Sequence, residues 1–503
     1  MSKYAIGLDN GGTVIKAAVF DMNGTQLGVA SSSTKMHTPR PGHTERDMQE
    51  LWLANCECIR QVLAKTDISS TDVIGLSVCG HGKGLYAWGK DGTPAYNGIV
   101  STDNRAWQYP EKWKNDGTFE KLYPRLCQQI MACQQASLLA WMKDNERQVY
   151  DNIKWAFSVK DYIRFRLTGE AFCEATDISG SALMNVRDAR FDKDLLEALG
   201  ISEAYDMLAP LRYSSDLCGT LTQEAADLTG LLLGTPVAGG MFDIDACAIA
   251  MAVTDPQDLC TITGTWSINE FISEKPITGT EIAMNSLYAI PGYYLIEECS
   301  ATGAGNLEWI LENIAPFESD CADKSLYSRL DEIVRSILPE DCEVYYLPFL
   351  YASNTHPLAK ASFIGLTSFH DNRHMLRAVY EGVAYSARTH IDRLLSVRSR
   401  PKAVRMAGGA ANSPVWVQIF ADVLDLPIET VSGVSELGAL GAAMAAAVAA
   451  GVYPDYMSAT EAMVRIDAPV LPCDKRVAIY DKKYEKYTAV TNALNSVWSK
   501  FEV

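Results

Sequence analysis

Two segments of this chain share one pattern, and that pattern constrains the fold more than any other feature of the sequence. Residues 4–20, YAIGLDNGGTVIKAAVF, are two apolar, β-favouring runs joined by a turn rich in glycine and threonine. Residues 259–273, LCTITGTWSINEFIS, repeat the same order of strand, Gly-Thr turn and strand. This internal repeat predicts two related domains, each opening with a β-hairpin, that face a common cleft.

Strand and helix signals alternate along the rest of the chain. Residues 47–65 place apolar side chains at helical spacing, and residues 72–80, DVIGLSVCG, form a strand-like run. Such alternation is typical of an α/β protein. With 503 residues, size scaling predicts about two to four domains. We place the boundary just after the segment GTPVAGGMFDID, which gives an N-terminal domain of residues 1–245 and a C-terminal domain of residues 246–503.

Composition excludes some classes of partner. The formal net charge is −18 and no basic patch interrupts it, so we expect neither a nucleic-acid nor an anionic-membrane partner. The 13 cysteines include no C-x-x-C pair, which suits neither a zinc site nor a disulfide scaffold. Together with the lack of a signal peptide, this usage predicts a cytoplasmic location.

One apolar run, LGALGAAMAAAVAAGV at residues 437–452, has the composition of a tightly packed helix. It is shorter than the ~20 apolar residues that cross a bilayer, and it consists of alanine and glycine more than leucine and isoleucine. We therefore expect a buried helix pressed closely against a sheet.

The turn of the first hairpin has the composition of a phosphate site. Gly11 and Gly12 let backbone N–H groups approach an anion, Thr13 adds a hydroxyl and Lys16 a positive charge. Asp9 is able to hold Mg²⁺ directly or through water. The alternative is a plain hairpin turn, for which Asn-Gly is by itself a strong signal.

The second half offers further groups for a nucleotide. In TGTWS, the turn of the second hairpin, Gly264, Thr265 and Ser267 are candidate phosphate donors. The segment AGGAANS at 407–413 ends a strand and precedes a helix that begins near Ser413-Pro414. Neither a G-x-G-x-x-G fingerprint nor a P-loop occurs in the chain, and a purely structural glycine-rich connection remains the alternative.

The segment GGMFDID carries two carboxylates directly after a strand and two glycines. If a helix starts there, Asp243 lies at its N-cap and Asp245 in its first turn. Helix capping alone explains Asp245, and a D-x-D metal site of a glycosyltransferase is another reading of the pair. Since Asp243 closes the strand at the proposed cleft, we take it as the candidate general base.

Three more polar residues follow strand-like runs in the first half. His81 lies between glycines in CGHGKGL, at the end of a strand, which is where open α/β sheets bind ligands. Asp103 and Arg105 in STDNR are suited to bidentate contacts with vicinal hydroxyls. A structural histidine and a surface ion pair are the alternatives.

Taken in order, these segments resemble the FGGY carbohydrate kinases, which belong to the actin-like (ribonuclease H-like) ATPase superfamily with hexokinase and the heat-shock chaperones. The resemblance runs from Tyr4 to about Ala450, and its most specific part is ASFIGLTSFHDNRHMLRAVYE, residues 361–381. It implies an enzyme that uses ATP and Mg²⁺ to phosphorylate a sugar, with two actin-like domains and a possible homodimer.

The resemblance also implies roles for individual residues. Asp243 would take the proton of the sugar hydroxyl, and Asp9 would position Mg²⁺. The groups implied at the phosphates are Gly11, Thr13, Gly264 and Thr265. Those implied along adenine and ribose are Gly408, Gly409 and Asn412, and those at the sugar are His81 and Asp103. The chain departs from the family pattern at Gly12, where a threonine is usual, and at Asp245, where a small or neutral residue is usual.

Four segments, GHGKGL, STDNR, GTWSI and ATGAGNLEWI, look most like the branch of L-xylulose kinases. The resemblance therefore implies a ketopentose kinase that acts on L-xylulose. The alternatives are a kinase for D-xylulose, L-ribulose or a glycerol-like polyol, and an actin-like ATPase scaffold that phosphorylates no sugar.

Overall fold

The computed structural model describes residues 3–12, 14–279, 282, 284–314, 325–351, 353 and 355–501. The chain forms two compact units, each assembled from separate stretches of sequence. Unit 1 comprises Met1–Thr254, Ile272–Ile296 and Gly433–Arg465, and unit 2 comprises Asp255–Phe271, Glu297–Ser432 and Ile466–Val503. The domain boundary that we place after residue 245 stays a prediction.

The strands of the described residues, in chain order, are β1 (Tyr4–Asn10), β2 (Val14–Asp21), β3 (Gln26–Ser33), β4 (Glu45–Arg46), β5 (Val73–Gly80), β6 (Tyr86–Gly89), β7 (Gly98–Ile99), β8 (Ile153–Phe157), β9 (Cys173–Glu174), β10 (Met184–Asn185), β11 (Arg190–Phe191), β12 (Leu211–Arg212), β13 (Leu217–Thr220), β14 (Pro236–Ala238), β15 (Met241–Phe242), β16 (Cys260–Thr263), β17 (Ser267–Ser273), β18 (Met284–Leu287), β19 (Tyr294–Ser300), β20 (Tyr345–Leu347), β21 (Ser362–Ile364), β22 (Val404–Ala407) and β23 (Ile428–Glu429).

The α-helices of the same residues are α1 (Met48–Thr66), α2 (Gln108–Asn115), α3 (Thr118–Leu126), α4 (Gln135–Asn145), α5 (Arg147–Asn152), α6 (Val159–Thr168), α7 (Ala175–Ser179), α8 (Lys193–Ala198), α9 (Gln223–Thr229), α10 (Asp243–Ala250), α11 (Gly305–Asn313), α12 (Ser325–Ser336), α13 (Asn372–Leu395), α14 (Pro414–Leu424), α15 (Leu437–Ala449), α16 (Tyr456–Met463) and α17 (Asp474–Trp498).

The main sheet of unit 1 is mixed, with the order β13-β14-β5-β1-β2-β3 and β15 paired with β5. Strands β1, β2 and β3 are antiparallel neighbours, whereas β5 runs parallel to β1 and β15 runs parallel to β5. The predicted hairpin (β1 and β2), the third strand (β3) and the strand predicted over residues 72–80 (β5) are thus present. Because β1, β5 and β15 are parallel, their carboxyl ends lie at one edge of the sheet.

Unit 2 repeats this strand pattern. Strand β16 is antiparallel to β17 and parallel to β22, which in turn is parallel to β23. The pairing of β16 with β17 and β22 therefore corresponds to the pairing of β1 with β2 and β5. The predicted repeat of strand, Gly-Thr turn and strand is confirmed.

The two hairpins differ in the residue pair that precedes their turns. In unit 1, two residues before Gly11, Asp9 is paired with Lys16. In unit 2, two residues before Gly264, Ile262 is paired with Ile268. The same backbone arrangement therefore carries a charged pair in one unit and an apolar pair in the other.

Helix α15 is the buried helix that the alanine- and glycine-rich run predicts. It packs on β1 and β5 and against α10. The backbones approach so closely that glycine is needed at its contact with β1 and at its contact with α10. A Cβ atom on Gly7 would lie 1.8 Å from the carbonyl oxygen of Ala439, and one on Gly441 would lie 2.1 Å from that of Ala246. Among the described residues, no helix has the length and apolarity to cross a bilayer.

Helix starts agree with the sequence signals at two sites and differ at a third. Asp47 caps α1 by accepting a hydrogen bond from the Glu50 amide, and Ser413 caps α14, which opens with Pro414. At α10 the prediction of an Asp243 N-cap is wrong, because Phe242 occupies that position. Asp243 is the first helical residue, and its side chain is therefore not used for capping.

We expect Gly7→Ala to lower the apparent melting temperature by several degrees, because the new methyl group would overlap the Ala439 carbonyl and force β1 and α15 apart. Overpacking of this kind costs typically about 1–3 kcal/mol. Thermal unfolding followed by circular dichroism measures the change.

Ser33→Ala is the matched control, since it changes an exposed side chain of similar size at the end of β3 and should leave the melting temperature within about 1 °C. A Gly7→Ala protein as stable as the wild type would contradict the close approach of α15 to β1.

Candidate active site

The candidate site of unit 1 is built where three parallel strands end. Asp9 in β1 is level with Cys79 in β5, and Cys79 is level with Met241 in β15. Asp243 follows β15 at once as the first residue of α10. The sheet register therefore brings the two predicted carboxylates, Asp9 and Asp243, to the same edge.

Asp9 is half-buried, and its Oδ1 atom is shielded from solvent without a hydrogen-bond partner. A Cβ atom on Gly438 of α15 would lie 2.7 Å from Asp9 Oδ2, so only glycine leaves room for this carboxylate. Desolvation raises the pKa of Asp9 to about 6, although the positive charge of Lys16 opposes the shift. A carboxylate held in this state has a free oxygen for a cation or a donor.

Asp243 has the same character. Its Oδ1 atom is also shielded and without a hydrogen-bond partner. Desolvation first, then the nearby charges of Asp9 and Asp177, raise the pKa of Asp243 well above its usual range, and Lys83 offsets part of the shift. A carboxyl group with a raised pKa is the type of group that serves as a general base near neutral pH.

Asp245 is different from Asp243, although only one residue separates them. It is fully buried, and its Oδ1 accepts a hydrogen bond of 3.1 Å from the Ala289 amide. This bond ties α10 to a neighbouring segment of unit 1, so helix capping alone does not describe the residue.

The backbone before Asp243 is fixed by a buried polar network. The Phe242 amide donates to Thr176 Oγ1 (2.9 Å), whose hydroxyl donates to Glu174 Oε2 (2.7 Å). Glu174 in turn lies 3.2 Å from the ammonium group of Lys160. Each of these side chains is buried, and the network holds the end of β15 in place.

His81 is buried directly after β5, with both ring nitrogens engaged. Nδ1 is 3.1 Å from the Gly82 carbonyl oxygen and Nε2 is 3.0 Å from the Tyr86 hydroxyl. Because a carbonyl only accepts, Nδ1 carries the proton and Nε2 accepts from Tyr86. Desolvation, helped by the charge of Arg46, lowers the pKa of His81 to about 3. His81 is therefore neutral at physiological pH.

Asp103 and Arg105 form an ion pair, as in the alternative to binding vicinal hydroxyls. The pair is buried, whereas that alternative placed it on the surface. Arg105 Nη2 lies 2.8 Å from Asp103 Oδ2 and 2.7 Å from Glu45 Oε1, and the Thr44 amide donates to Asp103 Oδ2 (2.6 Å). The guanidinium also lies over the Trp141 ring at 5.0 Å. Asp103 Oδ1 accepts from the amide and from Nε of Arg105, at 2.9 Å each. Both Asp103 oxygens are thus occupied, so direct sugar binding by Asp103 stays a prediction.

The glycine turn between β1 and β2 is half-exposed at Gly11 and Gly12. Lys16 reaches Glu436, with Nζ 2.7 Å from Oε2, and is 37% exposed. Its charge is therefore partly balanced before any phosphate binds. Thr13 lies outside the described residues.

In unit 2 the structure brings the predicted Gly264 turn next to Gly408. Gly408 has a φ of 89°, and a Cβ atom there would lie 2.5 Å from the Thr263 carbonyl. Thr265, Gly409 and Asn412 are exposed. Ser267 is not presented in the same way, because it is fully buried and its hydroxyl accepts from Asn269 (3.3 Å).

Sequence reasoning missed several residues around these groups. Arg46 donates from Nη2 to the Gly12 carbonyl (2.5 Å), and Tyr86 holds His81. A Cβ atom on Gly303 would lie 2.2 Å from the Gly264 carbonyl oxygen. Only Gly303 had a usable signal, the G-x-G in ATGAGNLEWI. Arg46 lies in β4, which pairs with β7, and Tyr86 lies in β6, which pairs with β8; no local pattern predicts these pairings.

Comparisons with known proteins agree with this arrangement. The N-terminal domain model of the FGGY family of carbohydrate kinases matches residues 4–250, and its C-terminal domain model matches residues 259–450. The L-xylulose/3-keto-L-gulonate kinase of Escherichia coli K12 is 35% identical over 100% of this chain and 99% of its own. A probable L-xylulose kinase of Pasteurella multocida is 33% identical over 98% and 99%.

Among solved structures, a ligand-bound xylulose kinase from Lactobacillus acidophilus superimposes with a TM-score of 0.89 at 24% identity, covering 99% of this chain and 100% of that one. This match confirms the predicted fold class, two mixed α/β domains of the actin-like (ribonuclease H-like) fold. With both family models matched in order over most of its length, the chain belongs to the FGGY family of carbohydrate kinases and is an ATP-dependent sugar kinase.

Proposed function

We propose that this protein transfers the γ-phosphoryl group of ATP to a hydroxyl of a ketopentose, and that L-xylulose is its preferred acceptor. The observation that carries the proposal is Asp243, a shielded carboxylate without a hydrogen-bond partner on Oδ1, at the carboxyl end of a parallel strand. The acceptor is inferred from the two relatives named as L-xylulose kinases, which match this chain over almost its full length.

Asp243 would act as the general base. Its environment raises the affinity of the carboxylate for a proton, so it is suited to remove the proton of a sugar hydroxyl as that oxygen attacks the phosphorus. The Thr176 hydroxyl accepts a hydrogen bond from the Phe242 amide and so fixes the backbone directly before Asp243. Phosphoryl transfer depends more on positioning and charge neutralisation than on covalent chemistry, and a rigid base serves the first of these needs.

The residues present fit a Mg²⁺ ion. Asp9 offers an oxygen with no hydrogen-bond partner, and Mg²⁺ is usually bound by one or two carboxylates together with water and phosphate oxygens. Such an ion would neutralise charge on the phosphates of ATP. In the described residues no group of three or more His, Cys, Asp or Glu side chains is placed to hold a metal, which is consistent with an ion that arrives with the nucleotide.

The glycine turns would hold the phosphates. In unit 1 the half-exposed Gly11 and Gly12 follow the strand in which Asp9 is paired with Lys16, and in unit 2 the exposed Thr265 follows Gly264. Thr13 stays a candidate from the sequence. Gly408, Gly409 and Asn412 are proposed along the adenine and ribose, since they are exposed at the end of β22.

For the sugar we propose His81 and the buried group formed by Asp103 and Arg105. A neutral His81 is able to exchange its bond with Tyr86 for one with a sugar hydroxyl. Arg105 forms ion pairs with both Asp103 and Glu45. We therefore propose that Asp103 and Arg105 stabilise the wall of the sugar pocket, in addition to any direct contact with the sugar.

We expect Asp243→Asn to lower kcat by about 10²- to 10⁴-fold, because the amide cannot accept the proton. Binding of ATP and sugar should change little, since the two side chains have the same shape. ADP release in a coupled assay measures turnover, and isothermal titration calorimetry measures binding.

Asp245→Asn is the matched control, because its amide oxygen can still accept from the Ala289 amide and turnover should be retained. Equal losses in both variants, or slow ATP hydrolysis unaffected by either, would favour the ATPase scaffold over the kinase.

Asp9 makes the metal-free protein less stable at high pH. Its pKa of about 6 in the folded protein lies above the ordinary value of 3.8, so the folded state binds the Asp9 proton more tightly than the unfolded state does. The stability gained from this protonated side chain is fully present below pH 3.8 and is lost as the pH rises through 6. Asp9→Asn cannot ionise. We therefore expect it to raise the melting temperature in EDTA by about 1–3 °C at pH 8, and by less at pH 5, while it abolishes turnover.

Thermal unfolding at the two pH values tests this expectation. Asp206→Asn, at an exposed carboxylate, should show no such pH-dependent gain. A loss of stability in Asp9→Asn that is equal at both pH values would show that desolvation is not the dominant effect on Asp9.

The acceptor is tested with a panel of L-xylulose, D-xylulose, L-ribulose, D-ribulose, 3-keto-L-gulonate, xylitol, glycerol and gluconate in the presence of ATP and Mg²⁺. We expect the highest kcat/KM for L-xylulose. Preference for another member would retain the general base and replace the acceptor, whereas no activity across the panel would overturn the ketopentose assignment.

A further inference from the structure

Arg46 is a buried cation that the proposed mechanism leaves unused. It lies in the two-residue strand β4, opposite Gly98 of β7 in an antiparallel pair. The residue is only 1% exposed. A buried guanidinium is costly unless hydrogen bonds and an opposite charge compensate it, so its partners indicate its purpose.

Arg46 has no carboxylate partner, and in this it stands apart. The other buried lysines and arginines of the described residues are Arg105, Lys160, Arg164, Arg377 and Lys483, and each of them lies within 4.0 Å of an Asp or Glu oxygen. Arg46 forms no such ion pair among the residues that the structure describes. The negative charge that would compensate Arg46 is therefore one that a bound ligand can supply.

The hydrogen bonds of Arg46 show which ligand it would meet. Nη2 donates to the carbonyl of Gly12, in the proposed phosphate turn, at 2.5 Å. Nε is shielded from solvent and has no partner. One edge of the guanidinium thus fixes the turn, and another is left with an unsatisfied donor.

The other neighbours of Arg46 belong to the proposed sugar pocket. A Cβ atom on Gly98 would lie 2.5 Å from the Tyr86 ring, so the ring occupies the space beside Arg46 that a side chain at 98 would fill. The Tyr86 hydroxyl binds His81 at 3.0 Å. Desolvation lowers the pKa of His81 and raises that of Tyr86; the positive charge of Arg46 adds to the first shift and opposes the second. Arg46 therefore lies between the phosphate turn and the sugar pocket.

We propose that Arg46 binds the phosphoryl group during transfer and afterwards holds the phosphate of the product. This inference rests on the proposed function. The acceptor oxygen forms a bond to the γ-phosphorus, the bond from that phosphorus to the β–γ bridging oxygen of ATP breaks, and the proton passes to Asp243. Arg46 forms and breaks no covalent bond; it donates N–H groups to the non-bridging oxygens, which carry charge throughout.

Two variants and two ligands test the proposal. Arg46→Gln removes the charge, and Arg46→Lys keeps the charge without the planar set of donors. The ligands are the panel sugar with the highest kcat/KM and the sugar phosphate that the wild-type enzyme makes from it, each titrated by calorimetry. We expect Arg46→Gln to weaken binding of the sugar phosphate by about 10- to 100-fold, with the free sugar changed less than about threefold.

Arg46→Lys should fall between the wild type and Arg46→Gln, and it stands alone if Arg46→Gln does not fold. Arg166→Gln is the matched control in unit 1, because that arginine is paired with Glu224 and Gln49 and should bind both ligands as the wild type does. Turnover should fall in parallel with sugar phosphate binding, with little change in the KM for sugar.

Three outcomes would overturn the proposal. Equal weakening of sugar and sugar phosphate would make Arg46 a support of the Gly12 turn, and unchanged binding of the sugar phosphate would remove its role. A loss confined to gluconate and 3-keto-L-gulonate would assign Arg46 to a sugar carboxylate.

If the wild type phosphorylates no panel sugar, the proposed function fails separately, and inorganic phosphate replaces the product in the same titration. Weaker phosphate binding by Arg46→Gln would then support the proposal, and equal binding would overturn it.

Discussion

The close contact between helix α15 and strand β1 is the constraint on which the rest of unit 1 depends. The backbones meet at Gly7 and Ala439, where even a methyl group would overlap. At this separation Gly438 lies directly against the carboxylate of Asp9, which is left with a shielded oxygen and a raised pKa. The alanine- and glycine-rich composition of α15 therefore serves both packing and chemistry: it closes the core, and it sets the environment of a charged group at the strand end.

Unit 1 treats its buried charges in two ways. Lys160 lies within 4.0 Å of Asp161, Glu174 and Asp177, and Arg105 lies between Asp103 and Glu45. Such groups compensate each other and fix the backbone. Asp9, Asp243 and Arg46 instead form no ion pair within 4.0 Å among the described residues, and each has a shielded polar atom without a hydrogen-bond partner. All three border the glycine turn or the strand ends beside it. Buried charges without an opposite charge lower stability; these three lie close to one turn, and together they indicate a site whose ligand completes them.

The sequence predicts what local patterns determine. Both hairpins, helix α1 after Asp47 and the start of α14 at Ser413-Pro414 were predictable, because turn glycines, caps and apolar periodicity act over a few residues. The carboxylates Asp9 and Asp243 were predictable as strand-end residues. The surroundings were not: Arg46 reaches Gly12 through the β4–β7 pairing, and Asp103 meets Glu45 across 58 positions of sequence through Arg105. Sequence spacing also left Asp243 one position from its true place, since an N-cap and a first helical residue differ only in backbone angles.

The two hairpins show how one backbone arrangement acquires two tasks. Counted from the first glycine of each turn, Asp9 and Lys16 form the cross-strand pair in unit 1, whereas Ile262 and Ile268 form it in unit 2. Both turns keep the glycine that the proposed role in anion binding requires. Only the turn of unit 1 has a carboxylate and an ammonium group directly beside it. If the turns bind phosphate as proposed, the charged pair is what would additionally allow the unit 1 turn to engage a metal ion and a phosphoryl group in transfer. On this argument the chemical difference between the units lies in two side chains on a shared strand pattern, and Asp243, the proposed general base, belongs to the unit that already carries the charge.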